Sequence, residues 1–264
     1  MSAIDLELAL RGGVFLAVFS ALAFWEYLAP ARTLRLSRRQ RWGANLGLAL
    51  VSTLVVRLIV PASAIAVAVM ASTEGWGLFS RLALPGWLAL VASVVLLDLT
   101  LYLQHVLFHS VPLLSRLHAV HHADPDFDLT TGIRFHPIEI LLSALIKLAA
   151  VAALGAPVAA VLVFEVLLNA TAMFNHANVS LPGRLEPWVR RLLVTPDMHR
   201  VHHSVVENER NSNYGFCLSV WDRLLGTYTS APGGELQLGL ADWRDPETIA
   251  TLPGVLRMPF LKAD

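Results

Sequence analysis

The 264-residue sequence holds a single cysteine, Cys217, which excludes an intramolecular disulfide framework and the usual cysteine-based zinc and iron–sulfur sites. Charge is scarce as well. Only 15% of the residues are charged, against about 25% in an ordinary soluble domain. Hydrophobic residues make up 55% and the mean hydropathy is +0.58. Twenty basic and twenty acidic residues cancel, which removes any global electrostatic reason to expect a nucleic-acid partner. There is no HExxH motif of a zinc hydrolase, no GxGxxG dinucleotide fingerprint and no haem-attachment motif. No glutamate has a histidine three residues later, so the carboxylate pattern of soluble di-iron bundles is missing. Any metal must be held by histidine, carboxylate or water.

What is abundant is apolar sequence in long runs. A membrane-crossing helix takes roughly 20 mainly apolar residues. Residues 12–30 carry only Glu26 as a charge, 44–70 only Arg57 and 82–104 only Asp98. These predict three spans. Residues 138–174, broken by Lys147 and by the turn Gly155-Ala156-Pro157, suit a helical hairpin that returns to the side it left. The fold class expected is therefore an all-α integral membrane protein, a bundle of three spans plus a hairpin. Asp5 and Glu7 precede the first run and no cleavage site follows it, so that run reads as a retained span rather than a leader. Arg32, Arg35, Arg38, Arg39 and Arg41 crowd the loop between the first two spans. By the positive-inside rule this loop is cytoplasmic, so the amino terminus is outside and three crossings from there bring the chain into the cytoplasm at His105. Three segments follow: 1–104 as amino-terminal spans, 105–228 as the catalytic region including the hairpin, and 229–264 as a cytoplasmic tail. The whole stretch 182–264 reads as apposed to the membrane.

All ten histidines fall between residues 105 and 203. They form HVLFH (His105, His109), HAVHH (His118, His121, His122) and HRVHH (His199, His202, His203), with His136 and His176 standing singly. Residues three and four apart share a helix face, so each HxxHH turn is expected to offer three imidazoles to one centre. An imidazole shell suits zinc, copper, iron or nickel. Eight or more ligands are too many for one ion, and two ions with open positions account for them. His136 precedes Pro137 and has Glu139 at i+3, an orienting partner for a ligand imidazole; a helix start is the alternative. Glu165, Asn169 and His176 line one stripe of an apolar helix, a placement that marks function in a membrane. Asp98, Tyr102, His105 and His109 step along one face, which makes Asp98 a candidate acceptor for a ligand imidazole. Thr195-Pro196-Asp197 reads as the start of the helix that carries the third histidine box.

HxxxH, HxxHH and HxxHH in this order, with RFHP and NHAN between the later two and TPDMHRVHHS, NSNYGF and WDRLLGTY after residue 194, resemble the fatty acid hydroxylase and sterol desaturase superfamily. The resemblance runs from about Asp98 to Tyr228. It implies a membrane-embedded helical fold with a cytosol-facing site of two non-haem iron ions, which use O2 to hydroxylate or desaturate a lipid such as a fatty acyl chain or sterol. It implies His105, His109, His118, His121, His122, His199, His202 and His203 as ligands, with His176 and His136 added from the intervening segment. Asp98, Glu139 and Asn169 are expected behind the ligands. Electrons would come from a separate donor, a cytochrome b5-like protein, a ferredoxin or a reductase. A membrane metal transporter is the competing reading, disfavoured because the histidine boxes lie at and beyond helix ends rather than along a midplane path.

Overall fold

The computed structural model describes residues 3–262. Residues 1–2 and 263–264, the outer ends of the first and last segments assigned from sequence, lie outside the described residues. Among those described there is no β-strand, only isolated bridges. Five stretches are long and apolar enough to cross a membrane. Helix α1 (Ala3–Leu28) is followed by α2 (Arg38–Ile59), which opens on a capping box: Ser37 Oγ accepts from the Gln40 amide while Gln40 Oε1 accepts from the Ser37 amide. The expected second span, 44–70, is one apolar run but not one helix. Pro61 has no N–H to donate and forces Val60 into extended backbone. Helix α2 therefore stops at Ile59, and α3 (Ala64–Glu74) starts afresh on Ser63.

A short α4 (Leu78–Leu82) leads to α5 (Gly86–Ser110), and α6 (Pro112–His122) follows after a bend. The hairpin forms as expected from α7 (Pro137–Leu154) and α8 (Val158–Asn175), joined through Gly155 in the left-handed region at φ +64°. The turn before α4 presses on that junction. A Cβ on Gly77 would lie 2.1 Å from the Gly155 nitrogen, so only glycine fits. Short helices α9 (Glu186–Val189), α10 (Pro196–His202), α11 (Glu207–Arg210), α12 (Val220–Leu224), α13 (Pro246–Ile249) and α14 (Leu252–Arg257) complete the chain.

Ala64, Ala68, Leu97, Leu101, Val151, Ala156, Val161 and Phe164 bury the centre of the bundle. Helix α1 leans on α8, and α2 and α3 lean on α7. Over one end of the bundle, the tail segment packs Ile249, Val255 and Met258 against Ala44, Leu48, Val120 and Ala123.

Between bundle and tail lies a buried polar layer. Arg41 donates through Nε and Nη2 to the two carboxylate oxygens of Asp124 (2.7 and 2.6 Å) and through Nη1 to Asp128 (2.7 Å). Asp126 accepts the backbone amides of Arg35 and Leu36 (2.7 and 2.8 Å). Arg134 ties three segments together, donating to Val120 O, Asn45 Oδ1 and Ile249 O, each at 2.7 Å. Glu26, the one charge of the first apolar run, is fully buried and accepts from the amides of Leu129 and Asn178. The arginine loop and the segment that follows α6 are thus one construction.

Breaking a buried ion pair strands the remaining charge, at a cost of about 3–5 kcal/mol. Arg41→Gln is expected to lose stability of about that size, read as a lowered thermal midpoint in detergent, whereas Arg39→Gln on the exposed side of the same turn changes little.

Candidate metal centre

Nine of the ten histidines converge where α5, α6, α8 and α10 meet. Their ring nitrogens fall into two groups, His105, His109, His118, His122 and His202 in one, and His121, His176, His199 and His203 in the other, each group lying within 4.8 Å. The HxxxH pair serves one group as the spacing predicts. The HxxHH boxes do not behave as expected. Each splits, sending its i and i+4 imidazoles to one group and its i+3 imidazole across to the other. Residues at i and i+4 project in nearly the same direction, whereas i+3 falls on the other side of that line. The two splits are reciprocal, so α6 and α10 each contribute to both groups.

The outer nitrogens decide the tautomers. His105 Nδ1 donates to Tyr214 O (2.8 Å), His118 Nδ1 to Glu139 Oε1 (2.6 Å), His202 Nδ1 to Ser212 O (2.6 Å) and His176 Nδ1 to Ala172 O (2.7 Å). In a neutral ring each such bond leaves Nε2 with a lone pair. Yet His105 Nε2 and His118 Nε2 face each other at 3.1 Å, and His176 Nε2 stands 3.1 Å from His121 Nε2 and 3.0 Å from His199 Nε2. His105 and His118, both fixed through Nδ1, thus set lone pair against lone pair, which is repulsive unless a cation lies between, whereas His121 and His199 have no partner at Nδ1 to fix their tautomers. Imidazole nitrogens about 2.0–2.1 Å from a divalent ion stand roughly 3–3.4 Å apart, which is the spacing found. Nε2 of His109, His202 and His203 and both nitrogens of His122 are buried with no hydrogen-bond partner. The donor set fits a pair of metal ions.

Burial, reinforced by repulsion from neighbouring imidazoles, holds His121, His122, His199, His202 and His203 well below the ordinary histidine value. His176 is brought down to about 4, again chiefly by burial. These rings are neutral at pH 7, the form that ligates.

Several expectations for the surroundings are corrected. His136 lies in neither group. Its Nδ1 accepts from the Ile138 amide and its Nε2 faces Leu256 O (both 3.3 Å), so it caps α7, the helix start that Pro137 announces. Glu139, expected to orient His136, instead holds His118. Asp98 touches no imidazole and accepts from the amides of Cys217 and Leu218 and from Trp221 Nε1. Asn169 donates to Glu165 O within its own helix. Glu165 itself is paired with Lys147 (2.6 Å) and Arg11 (2.9 Å). Spacing along one helix does not say which neighbouring element supplies the partner.

The residues that sequence reasoning missed are mostly backbone groups. Ser212 and Tyr214 reach the imidazoles through their carbonyls, and the chain turns there because Asn213 adopts φ +53°. Asn213 steadies that turn by donating to Met198 O and Thr229 O. NSNYGF was the visible signal, without its reason. Gly132 was also unmarked: a Cβ there would sit 2.4 Å from Ala172 O and 3.2 Å from His176 Nδ1. Phe127, Phe135 and Phe216 wall the cluster, with Phe135 stacked on His121 at 4.2 Å.

A sequence model described as fatty acid hydroxylase matches residues 90–227, just over half of the chain, and the protein belongs to that family. It is 34% identical over 143 residues to the ornithine lipid hydroxylase OlsE of Rhizobium tropici, a match covering 54% of this chain and 42% of that protein. It is 29% identical over 132 residues to the alkylglycerol monooxygenase of Homo sapiens (50% of this chain, 28% of that one) and 29% over 143 residues to the cholesterol 25-hydroxylase of Rattus norvegicus (53% and 46%). The chain thus spans less than half the length of each of these relatives. No solved structure matches it significantly.

The depressed histidine values fix a pH dependence. Below the ordinary value of 6.5 an unfolded chain takes up protons that the folded cluster refuses, so the neutral rings' contribution to stability is present above 6.5 and is lost as pH falls towards about 4. Metal-free protein is expected to lose stability progressively across that window, measured by thermal unfolding at a series of pH values. Protein loaded with metal should hold its midpoint further into acid.

Proposed function

We propose that the protein is a membrane-bound lipid hydroxylase whose nine clustered imidazoles hold two iron ions on the cytoplasmic side. The observation that carries the reading is the convergence of nine imidazoles into two groups, with the Nε2 lone pairs of His105 and His118 set against each other at 3.1 Å. Relatives named as hydroxylases and a monooxygenase, acting on ornithine lipid, alkylglycerol and cholesterol, support a lipid substrate and favour hydroxylation over desaturation. The arginine loop lies on the same face as the cluster, through Arg35 and Arg41 to residues 124–128. The positive-inside rule then supports a cytoplasm-facing site.

When bound, the two irons would activate O2 for attack on an unactivated C–H bond, chemistry that belongs to the metal. The chain supplies position and environment. Glu139 and the carbonyls of Ala172, Ser212 and Tyr214 fix four tautomers and ring orientations. The three phenylalanine rings exclude water from the cluster, which protects reactive intermediates from side reactions. A separate protein would deliver electrons, since this sequence has no flavin, haem or iron–sulfur motif. A transporter is not favoured, because the imidazoles gather at one end of the spans, away from any midplane path.

Iron-loaded protein in lipid membranes, given a chemical reductant and isotopically heavy oxygen gas, is expected to place one heavy oxygen atom in an extractable lipid. His118→Ala should place none. Full iron loading with no label in any lipid would remove the hydroxylase reading.

A further inference from the structure

The segment after the last histidine box runs down α5 rather than across its end. From the top, His109 Nδ1 donates to Asn211 Oδ1 (3.3 Å), His105 to Tyr214 O, the Tyr102 hydroxyl pairs with Thr227 Oγ1 (2.7 Å), and Asp98 binds the amides of Cys217 and Leu218 and the Trp221 indole (3.0, 3.1 and 2.9 Å). From 109 to 98 is a descent of about 16 Å at 1.5 Å per residue. The hydrocarbon core is about 30 Å thick and takes roughly 20 residues. Counted from Gly86, the end of α5 away from the histidines, it finishes near His105. Asp98 then lies about 10 Å beneath that boundary. Helix α8 gives the same depth independently, since Thr171 Oγ1 meets Cys217 Sγ at 3.0 Å, five residues before His176. Leu192 and Leu193 are at this level too: the Ser219 amide donates to Leu192 O and the Val194 amide to Cys217 O, both at 3.0 Å.

The outward surface at that depth is apolar. Trp188 is 65% exposed, Leu192 58%, Leu224 73% and Leu225 53%. Around its rim, the Arg191 guanidinium lies 4.2 Å over the Trp188 ring and that of Arg223 lies 4.1 Å over Tyr228. Apolar tips with aromatic and arginine flanks are what a membrane interface selects.

We propose that the apolar edge formed by residues 185–193 and 218–225, part of a stretch that by charge reads as resting on the membrane, is sunk into the leaflet on the histidine side. Leu192, Leu224 and Leu225 lie among acyl chains with Trp188 beside them, and the Arg191 guanidinium over the Trp188 ring reaches towards the headgroups, so the partner of this surface is bilayer lipid. The inference rests on the chain spanning a membrane and not on its reaction, so it stands or falls without an activity assay.

Leu224→Cys and Leu192→Cys, each carrying an environment-sensitive fluorophore, test it in nanodiscs. The native Cys217 is buried, with its thiol pushed up by burial beside Asp98, and does not compete for label. Both labels are expected to lose most of their emission when the disc lipid carries bromine in its acyl chains and to ignore aqueous iodide. A label at Glu235→Cys, on an exposed polar loop, should respond in the opposite way. Iodide quenching at 224 and 192 would overturn the proposal in favour of a water-facing surface. Quenching by neither agent would overturn it in favour of a protein partner or a second copy of this chain.

Discussion

Nine imidazoles gathered with their ring nitrogens converging on two points is the constraint on which the rest depends. A buried polar nitrogen without a partner costs about 1–3 kcal/mol, and the cluster contains several such atoms. The protein does not relieve them with its own donors. It fixes four of the rings, His105, His118, His176 and His202, by occupying their Nδ1 atoms with three carbonyls and one carboxylate. The unfavourable arrangement is held because the surrounding elements over-determine it, and a cation at each convergence removes the repulsion.

The architecture can be followed outward from that point. Helices α5 and α8 end at the cluster because His105, His109 and His176 must arrive there from the membrane. Helices α6 and α10 carry HxxHH boxes whose ligands divide between the two groups, so neither helix can move without disturbing both. The stretch 124–134 that follows α6 is pinned by Arg41 and by its own Arg134, and through Arg134 to α2 and the tail. Glu26 and Asn178 bind α1 to the same layer. An amino-terminal third without recognisable motifs therefore contributes directly to the rigidity of the site.

The parts legible in the sequence were those governed by one element at a time. Long apolar runs gave the spans, Gly155 and Pro157 gave the hairpin, and histidine spacing marked the helices that carry the clustered imidazoles, though not the way each HxxHH box divides between two groups. Pro61 was a visible break inside residues 44–70, but the run of apolar residues outweighed it. Partners across elements were not legible. Asp98 and Glu139 sit at helical spacing to histidines, yet Asp98 anchors a distant loop and Glu139 serves His118 on another helix. His136 combined a metal-binding residue type with a helix-start position, and packing chose the second. Arg41 counted towards a topology signal, whereas its partners, Asp124 and Asp128, lie more than eighty positions away in sequence.

The central claim is that the two groups are two separate ion sites on one chain. Anaerobic purification with ferrous iron, followed by metal quantification per chain, tests it in the parent, in His118→Ala from the first group and in His121→Ala from the second. The account predicts two irons in the parent and a loss confined to one site in each variant, with the double variant nearly empty. One ion or none in the parent, or no loss in either variant, would contradict it.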